Sequence, residues 1–303
     1  MAAITTGSWA KAMWPGVRKF FGMKYNEYSP EWPEYLEKNT STKAFEEEVS
    51  ATGFGLAQIK TEGAAIAYDT AEQGFISRYT HATYALGFIV TEEMHDDNLH
   101  MEIGLRRAQS LAFSLRQTKE VVAANVLNRA FNASYTGGDG LELCSLLHKN
   151  KSGGTWANEL ATAADLSDTA LEQACIDIAG FTNDRGLTIK VLPKKLIIPP
   201  DLEFEAARIL KSIQQPGGAN NDINAIRVLG KIPQGYSVCH FLTDADAWFI
   251  KTDIPDGLKL FQRKPVSFDQ DNDFSTSNAL FKAVERYSTG WSDPRGIYGS
   301  PGG

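Results

Sequence analysis

Few residues in this chain are placed to do chemistry. There are 5 His and 3 Cys in 303 residues. Cys239-His240 offers a thiol beside a base, with Asp244 and Asp246 close by. Adjacent residues on a strand point to opposite faces, so that pair cannot form the catalytic contact itself. Cys144 and His148 lie four apart beside a glycine-rich stretch and are the other nucleophile–base candidate. A half-buried structural cysteine explains the same residues. His95 and His100, with Asp96 and Asp97, could hold a metal, but a spacing of five matches one helical face poorly. A solvated helix start is the plainer reading. Asp269, Asp271 and Asp273 suggest calcium, yet the glycine and the distant glutamate of an EF-hand loop are missing. They read as a solvated acidic loop.

The phosphate and nucleotide motifs are absent. Gly230-Lys231 is followed by Ile232 and has no glycine five residues before it, so no P-loop is present. No Gly-x-Gly-x-x-Gly follows a strand, and His-Glu-x-x-His does not occur. The residues thus assign no catalytic group, no cofactor-binding residue and no metal ligand. The weight moves to a structural or interaction protein, with a hydrolase built on Cys144 or the acidic clusters as the enzyme alternative.

Composition agrees. Hydrophobic residues make up 43% and charged residues 22%, ordinary values for a folded chain. Lys and Arg number 30 against 37 Asp and Glu, a formal charge of -7, which argues against a protein that coats DNA by charge neutralisation. No apolar run reaches the roughly 18 residues of a membrane span. The start, Met1 to Gly7, lacks the apolar core of a secretory signal. Three cysteines without a Cys-x-x-Cys point to a reducing compartment, and the sequons at Asn39 and Asn132 read as chance.

Residues 1–50 read as an arm, with Trp14, Phe20, Phe21, Tyr25, Tyr28 and Trp32 among helix-breaking prolines. Those rings need a surface, either this chain's body or a neighbour. Residues 54–93 read as a long β-hairpin, with strands at 54–60, 64–68, 75–84 and 85–90. Residues 94–131 carry one apolar stripe, Met101, Leu105, Ala108, Ala112, Leu115, Val122 and Val126, at helical spacing. A helix of about 38 residues would span roughly 57 Å. A compact globule of this length is only roughly 50 Å across. Either the helix kinks near Gly104 or the subunit is flat, as an assembling protein would be. A second α+β unit starts near Asp165, with a helix at 169–181 and a buried strand at 195–198. Asp201 heads a further helix, and strands at 236–242, 247–252, 258–263 and 281–287 follow.

Several stretches of the last third resemble the major capsid proteins of tailed bacteriophages, in particular the Mu-like head-subunit group. They are Arg185-Gly-Leu with Lys194-Lys-Leu-Ile-Ile-Pro-Pro-Asp-Leu, Ala206-Ala-Arg-Ile-Leu-Lys-Ser, and Asn221-Asp-Ile-Asn-Ala225. Phe241-Leu-Thr-Asp-Ala-Asp-Ala-Trp-Phe-Ile-Lys-Thr-Asp253 and Gly257-Leu-Lys-Leu-Phe continue the likeness. The ending Glu285-Arg-Tyr-Ser-Thr-Gly-Trp-Ser-Asp-Pro-Arg-Gly-Ile-Tyr-Gly-Ser is the most specific.

The resemblance implies an α+β tailed-phage capsid fold, shared with encapsulins. The arm would be 1–53, an extended hairpin (the E-loop) 54–92, and a peripheral domain with a long spine helix 93–164. An axial domain would be 165–245, with 246–303 returning to the peripheral domain. The implied function is a shell of hexamers and pentamers around a phage genome, assembled in the host bacterial cytoplasm. A separate scaffold protein, a portal, a decoration protein and packaged DNA, held without sequence specificity, are the implied partners. An encapsulin-like compartment is the alternative. Contacts between subunits are expected at Trp14, Phe20, Phe21, Gln73, Phe75, Arg78 and Tyr79. The hairpin tip, Tyr68 to Phe75, has no lysine, and Lys60 lies near the base, so a non-covalent shell is expected.

Overall fold

The computed structural model describes residues 18–19, 21–91, 93, 100–215, 223–273, 275–276 and 278–303. Two four-stranded sheets and one long helix organise them. The first sheet has the order β1-β10-β11-β4, from β1 (Glu37–Thr40), β10 (Leu258–Asn272), β11 (Ala279–Trp291) and β4 (Ala82–Val90). β1 runs parallel to β10, and the other pairs are antiparallel. A two-stranded ribbon, β2 (Phe45–Ala51) with β3 (Gln73–Thr80), leaves this sheet at His81. β5 (His148–Lys149) and β6 (Thr155–Trp156) form a small clip.

Helix α1 (His100–Asn128) lies on the first sheet. Its 29 residues correspond to about 43 Å, and it runs unbroken through Gly104. The stripe is as read for Ala108, Ala112, Leu115 and Val126, all buried, with Leu111, Ala123, Ala124 and Leu127 beside them. Two charges, Lys119 and Glu120, also sit on the buried side. Residues 129–131 form a turn and not a last helical turn, and 94–99 lie outside the described residues.

The second sheet has the order β12-β9-β7-β8: β12 (Ile297–Ser300), β9 (Trp248–Thr252), β7 (Pro193–Ile198) and β8 (Tyr236–Val238). This corrects the expected return of 246–303 to the first unit. Only β10 and β11 return; β9 and β12 pair with β7 or with each other and belong to the second sheet. Helices α2 (Asp168–Ala179), α3 (Glu203–Lys211) and α4 (Ala225–Val228) pack on one of its faces. Ser167 caps α2 by accepting from Ala170 N.

Both faces of this sheet are buried. Ile197, Phe249 and Ile297 pack into one core with Trp32, Leu127 and Tyr287. Their neighbours Leu196, Ile198, Trp248, Ile250 and Tyr298 pack into a second core with Leu171, Ile178 and Phe181. Burial on both faces explains the uninterrupted Leu-Ile-Ile and Trp-Phe-Ile runs.

Two further expectations are corrected. Residues 54–60 and 64–68 are not strands, since β3 takes Phe45 to Ala51 as its partner instead. Residues 32–51 are not an arm: Trp32, Tyr35 and Leu36 are core, and β1 is built into the first sheet.

Candidate functional site: the ribbon, its loop and the cleft beside it

The ribbon is amphipathic by strand alternation. Ser77 and Tyr79 face inward; Ile76, Arg78 and Thr80 face out. Between its strands, residues 53–72 are exposed throughout and form no ladder. Their large apolar side chains stand in solvent, with Ile59 97%, Tyr68 93% and Leu56 78% exposed. Surface apolar groups scattered singly are ordinary, but so many along one segment mark an interaction surface.

Three anchors hold the ribbon and its loop. Arg185 reaches from the second unit, donating Nε to Gly53 O at 3.0 Å and Nη2 to Asp69 Oδ1 at 3.1 Å, and also to Thr70 O. Gly55 N donates to Asp69 Oδ2 at 2.7 Å. Backbone hydrogen bonds from Gly55 and Thr70, then Arg185, hold the Asp69 carboxyl below its ordinary range. At the base, Lys259 Nζ donates to Glu48 Oε1 at 2.6 Å and to Asp256 Oδ1 at 2.6 Å. Burial opposes the Lys259 charge, but hydrogen bonds to Asp256 and Glu48 outweigh it and raise its pKa. Ser292 Oγ donates to Glu48, and the Tyr79 hydroxyl lies 2.5 Å from the same Oγ. The third anchor is His81, bonded to Ser41 and Ser288.

A cleft of about 590 Å³ opens between the ribbon, the end of α1 and β11. Arg78, Arg129, Tyr84, Tyr135 and Trp291 contribute to its wall. Among the described residues, no carboxylate lines it. Arg129 lies 4.3 Å from the centre of the Tyr135 ring.

The expected contact residues separate. Trp14 and Phe20 lie outside the described residues. Phe21 is 4% exposed and stacks 4.9 Å from Phe268, and Tyr79 is 3% exposed and meets Phe261 edge-on at 4.7 Å. Both rings are covered by this chain's own core, which leaves them no surface for a neighbour. Gln73 and Arg78 are exposed and Phe75 is half-buried, with Lys151 Nζ 5.5 Å from its ring. Arg78 lies over the Phe45 ring at 4.0 Å. Glu48, Lys259 and Arg185 were not singled out as site residues by the sequence reading. Glu48 and Lys259 meet across 211 positions and Arg185 reaches Asp69 across 116, beyond any local pattern, while the Lys259–Asp256 bond spans three.

The nucleophile candidates do not come together. Cys144 is 1% exposed, and burial, followed by Glu159 and Glu142, raises its thiol well above the ordinary range. His148 points elsewhere: Nδ1 lies 2.6 Å from Asp139 Oδ2 and Nε2 lies 3.3 Å from Leu143 O. Burial pushes the Cys239 thiol up to about 11, and His240 Nδ1 is 2.7 Å from Glu31 Oε1. His95, Asp96 and Asp97 lie outside the described residues. Among the described residues, no group of three His, Cys, Asp or Glu is arranged to hold a metal. No described helix is long and apolar enough to cross a membrane.

Comparison with solved structures gives the class. The chain resembles the capsid of an empty GTA particle (TM-score 0.56, 13% identity, 88% of each chain). It resembles the virus-like particle of Pyrococcus furiosus (0.51, 13%, 94% of this chain and 97% of that one). The procapsid of bacteriophage JBD30 is a third (0.52, 12%, 98% and 76%). No curated protein sequence matches. The fold is thus the tailed-phage capsid fold, common to shells of both viral and virus-like particles. Residues 75–300 match the model of a family described as phage capsid protein. The chain belongs to that phage capsid family and is a major capsid shell protein, a virion component that assembles with copies of itself.

Proposed function

We propose that this subunit forms hexamers and pentamers that close into an icosahedral head around a phage genome, in the host bacterial cytoplasm. The observation that carries this reading is the apolar loop: Leu56, Ile59, Ile66 and Tyr68 are exposed, with nothing among the described residues to cover them. A neighbouring subunit supplies the missing surface. In this role the E-loop, expected at 54–92, is the ribbon β2–β3 with its loop 53–72, while β4 stays in the first sheet; α1 is the spine helix of a peripheral domain, and the second sheet with its helices the axial domain. Gln73, Phe75 and Arg78 are the ribbon residues available for contact. Heterologous contacts that close make such rings, and permanent shells bury on the order of 2,000–5,000 Å² per interface.

The subunit acts as a structural protein without catalysis, consistent with its buried thiols. It works with a separate scaffold protein and a portal, and a decoration protein would bind outside. Packaged DNA meets the inner face without sequence specificity, in keeping with a net charge of -7. The Mu-like group is the subgroup to which the C-terminal stretches point. The shell is non-covalent, since residues 68–75 contain no lysine. A second reading, a compartment holding protein cargo, draws on the likeness to the Pyrococcus furiosus particle over 94% of this chain.

Negative-stain electron microscopy with sedimentation velocity, on protein expressed with and without its scaffold and portal, tests this. Closed shells or rings of five and six are expected. A strict monomer under both conditions overturns the reading. Nucleic acid within purified shells separates the head from the cargo compartment. A ladder of linked oligomers surviving boiling in detergent would exclude the non-covalent shell.

A further inference from the structure

We propose that His81 is a proton-operated latch at the root of the ribbon: a second proton on its ring loosens β2–β3 from the body of the chain. His81 is the single residue between β3, whose partner is β2, and β4, whose partner is β11. It is 6% exposed. Its Nε2 lies 2.9 Å from Ser41 Oγ, and its Nδ1 lies 2.9 Å from Ser288 Oγ.

The neighbours decide which nitrogen carries the hydrogen. Ser41 Oγ donates to Glu46 Oε1 at 2.7 Å, so toward His81 it can only accept. Nε2 is therefore the donor, and bare Nδ1 accepts from Ser288. The neutral ring satisfies every bond. A proton added at Nδ1 makes that atom a donor, so the Ser288 hydroxyl must reverse and its hydrogen loses its acceptor.

The surrounding charges oppose the added proton. Glu46 on β2 favours it through Ser41, but Lys43 in the turn before β2 already pairs with Glu46 at 3.0 Å. The charges of Arg286 on β11 and Arg263 on β10 both disfavour a cation there. Burial, followed by Arg286, holds the His81 pKa below its ordinary 6.5, with Glu46 offsetting this only in part. The sign follows. Above pH 6.5 the ring is neutral with the ribbon latched or loose. Below it the loosened, solvated ring takes the proton first. The loose form then gains up to about tenfold per pH unit, until the latched ring titrates too.

The latch is a property of one chain and is measured without assembly. Hydrogen exchange of the full-length protein at pH 7.5 and 5.5, corrected for intrinsic exchange, reads it. Peptides covering 45–51 and 73–80 should lose protection by up to about tenfold at pH 5.5, while those of the β10–β11 hairpin hold. His81→Gln should abolish the difference between the two pH values. An unchanged ribbon in the parent protein, or the same pH response in His81→Gln, overturns the proposal. Where His81→Gln does not fold, ¹³C-histidine NMR of the parent protein decides. A His81 midpoint below 6.5 is expected, and one at or above 6.5 overturns the latch.

Discussion

Lys119 reaches across the core to Glu285, which also accepts from Gln262 Nε2 at 3.0 Å and from the Tyr25 hydroxyl at 3.1 Å. The two are 6% and 1% exposed. Burying charges is costly, so such a pair contributes little net stability while intact. Removing one partner strands the other. Lys119→Ala should therefore destabilise the chain by about 3–5 kcal/mol, lowering Tm by roughly 10 °C. Lys119→Met with Glu285→Met should cost far less, because no charge is left stranded. Calorimetry of both variants compares them. The thiols give a second test at this scale. All three are buried. The native protein should leave an aromatic disulfide reagent unreacted at pH 8 and release three equivalents of thiol only once unfolded. Rapid native reaction at Cys144 would restore the nucleophile reading.

The ribbon and its loop behave as one element with few ties to the rest. Arg185 is about a quarter exposed and Asp69 more so, and exposed pairs contribute about 0–1 kcal/mol. Arg185→Ala should hence leave Tm within a degree or two while speeding proteolysis between residues 53 and 72. Ile59→Asp with Leu56→Asp should likewise spare the fold, since both side chains already stand in water, but abolish shells in the electron microscope. Shells of parental yield from that double variant would show that the loop does not carry the contact. A third element-level test concerns the turn before β10. A Cβ on Gly296 would come 2.6 Å from Gly257 Cα, backbone against backbone. Gly296→Ala must push β10 from the 3₁₀ turn at 294–296 and should cost roughly 1–3 kcal/mol.

At the scale of the whole molecule, β7 and β9 divide the two large cores and belong to both. Ile197 and Phe249 serve one side, and Leu196, Ile198, Trp248 and Ile250 the other. A unit cannot melt alone when its sheet is also the wall of its neighbour. Thermal unfolding should be a single transition, with near-UV signal, far-UV signal and calorimetry coinciding. Two separated transitions would mean that the wall is weaker than its burial implies.

Much of this molecule is legible in its sequence. Local rules dictate α1, α2 with its Ser167 cap, β7, and the β3–β4 alternation, because side-chain period and capping act within a few residues. The short list of nucleophiles and phosphate motifs already moved the reading toward a structural protein. Partner choice between strands was not legible. Phe54 to Lys60 has as good a strand pattern as Phe45 to Ala51, yet β3 pairs with the latter. β9 and β12 leave the last third for a sheet begun some 50–100 residues earlier. The sites behave in the same way. Arg78 and Tyr79 are both expected as contacts, yet only the fold shows which of the two faces of the ribbon is covered, and Lys259 finds Glu48 across 211 positions. Residue type and short spacing suffice for the local elements, the apolar excess of the loop and the poverty of catalytic groups. Which rings are core, which charges pair and where the ribbon is latched come from the folded chain. Those depend on long-range closure, which no window of sequence contains.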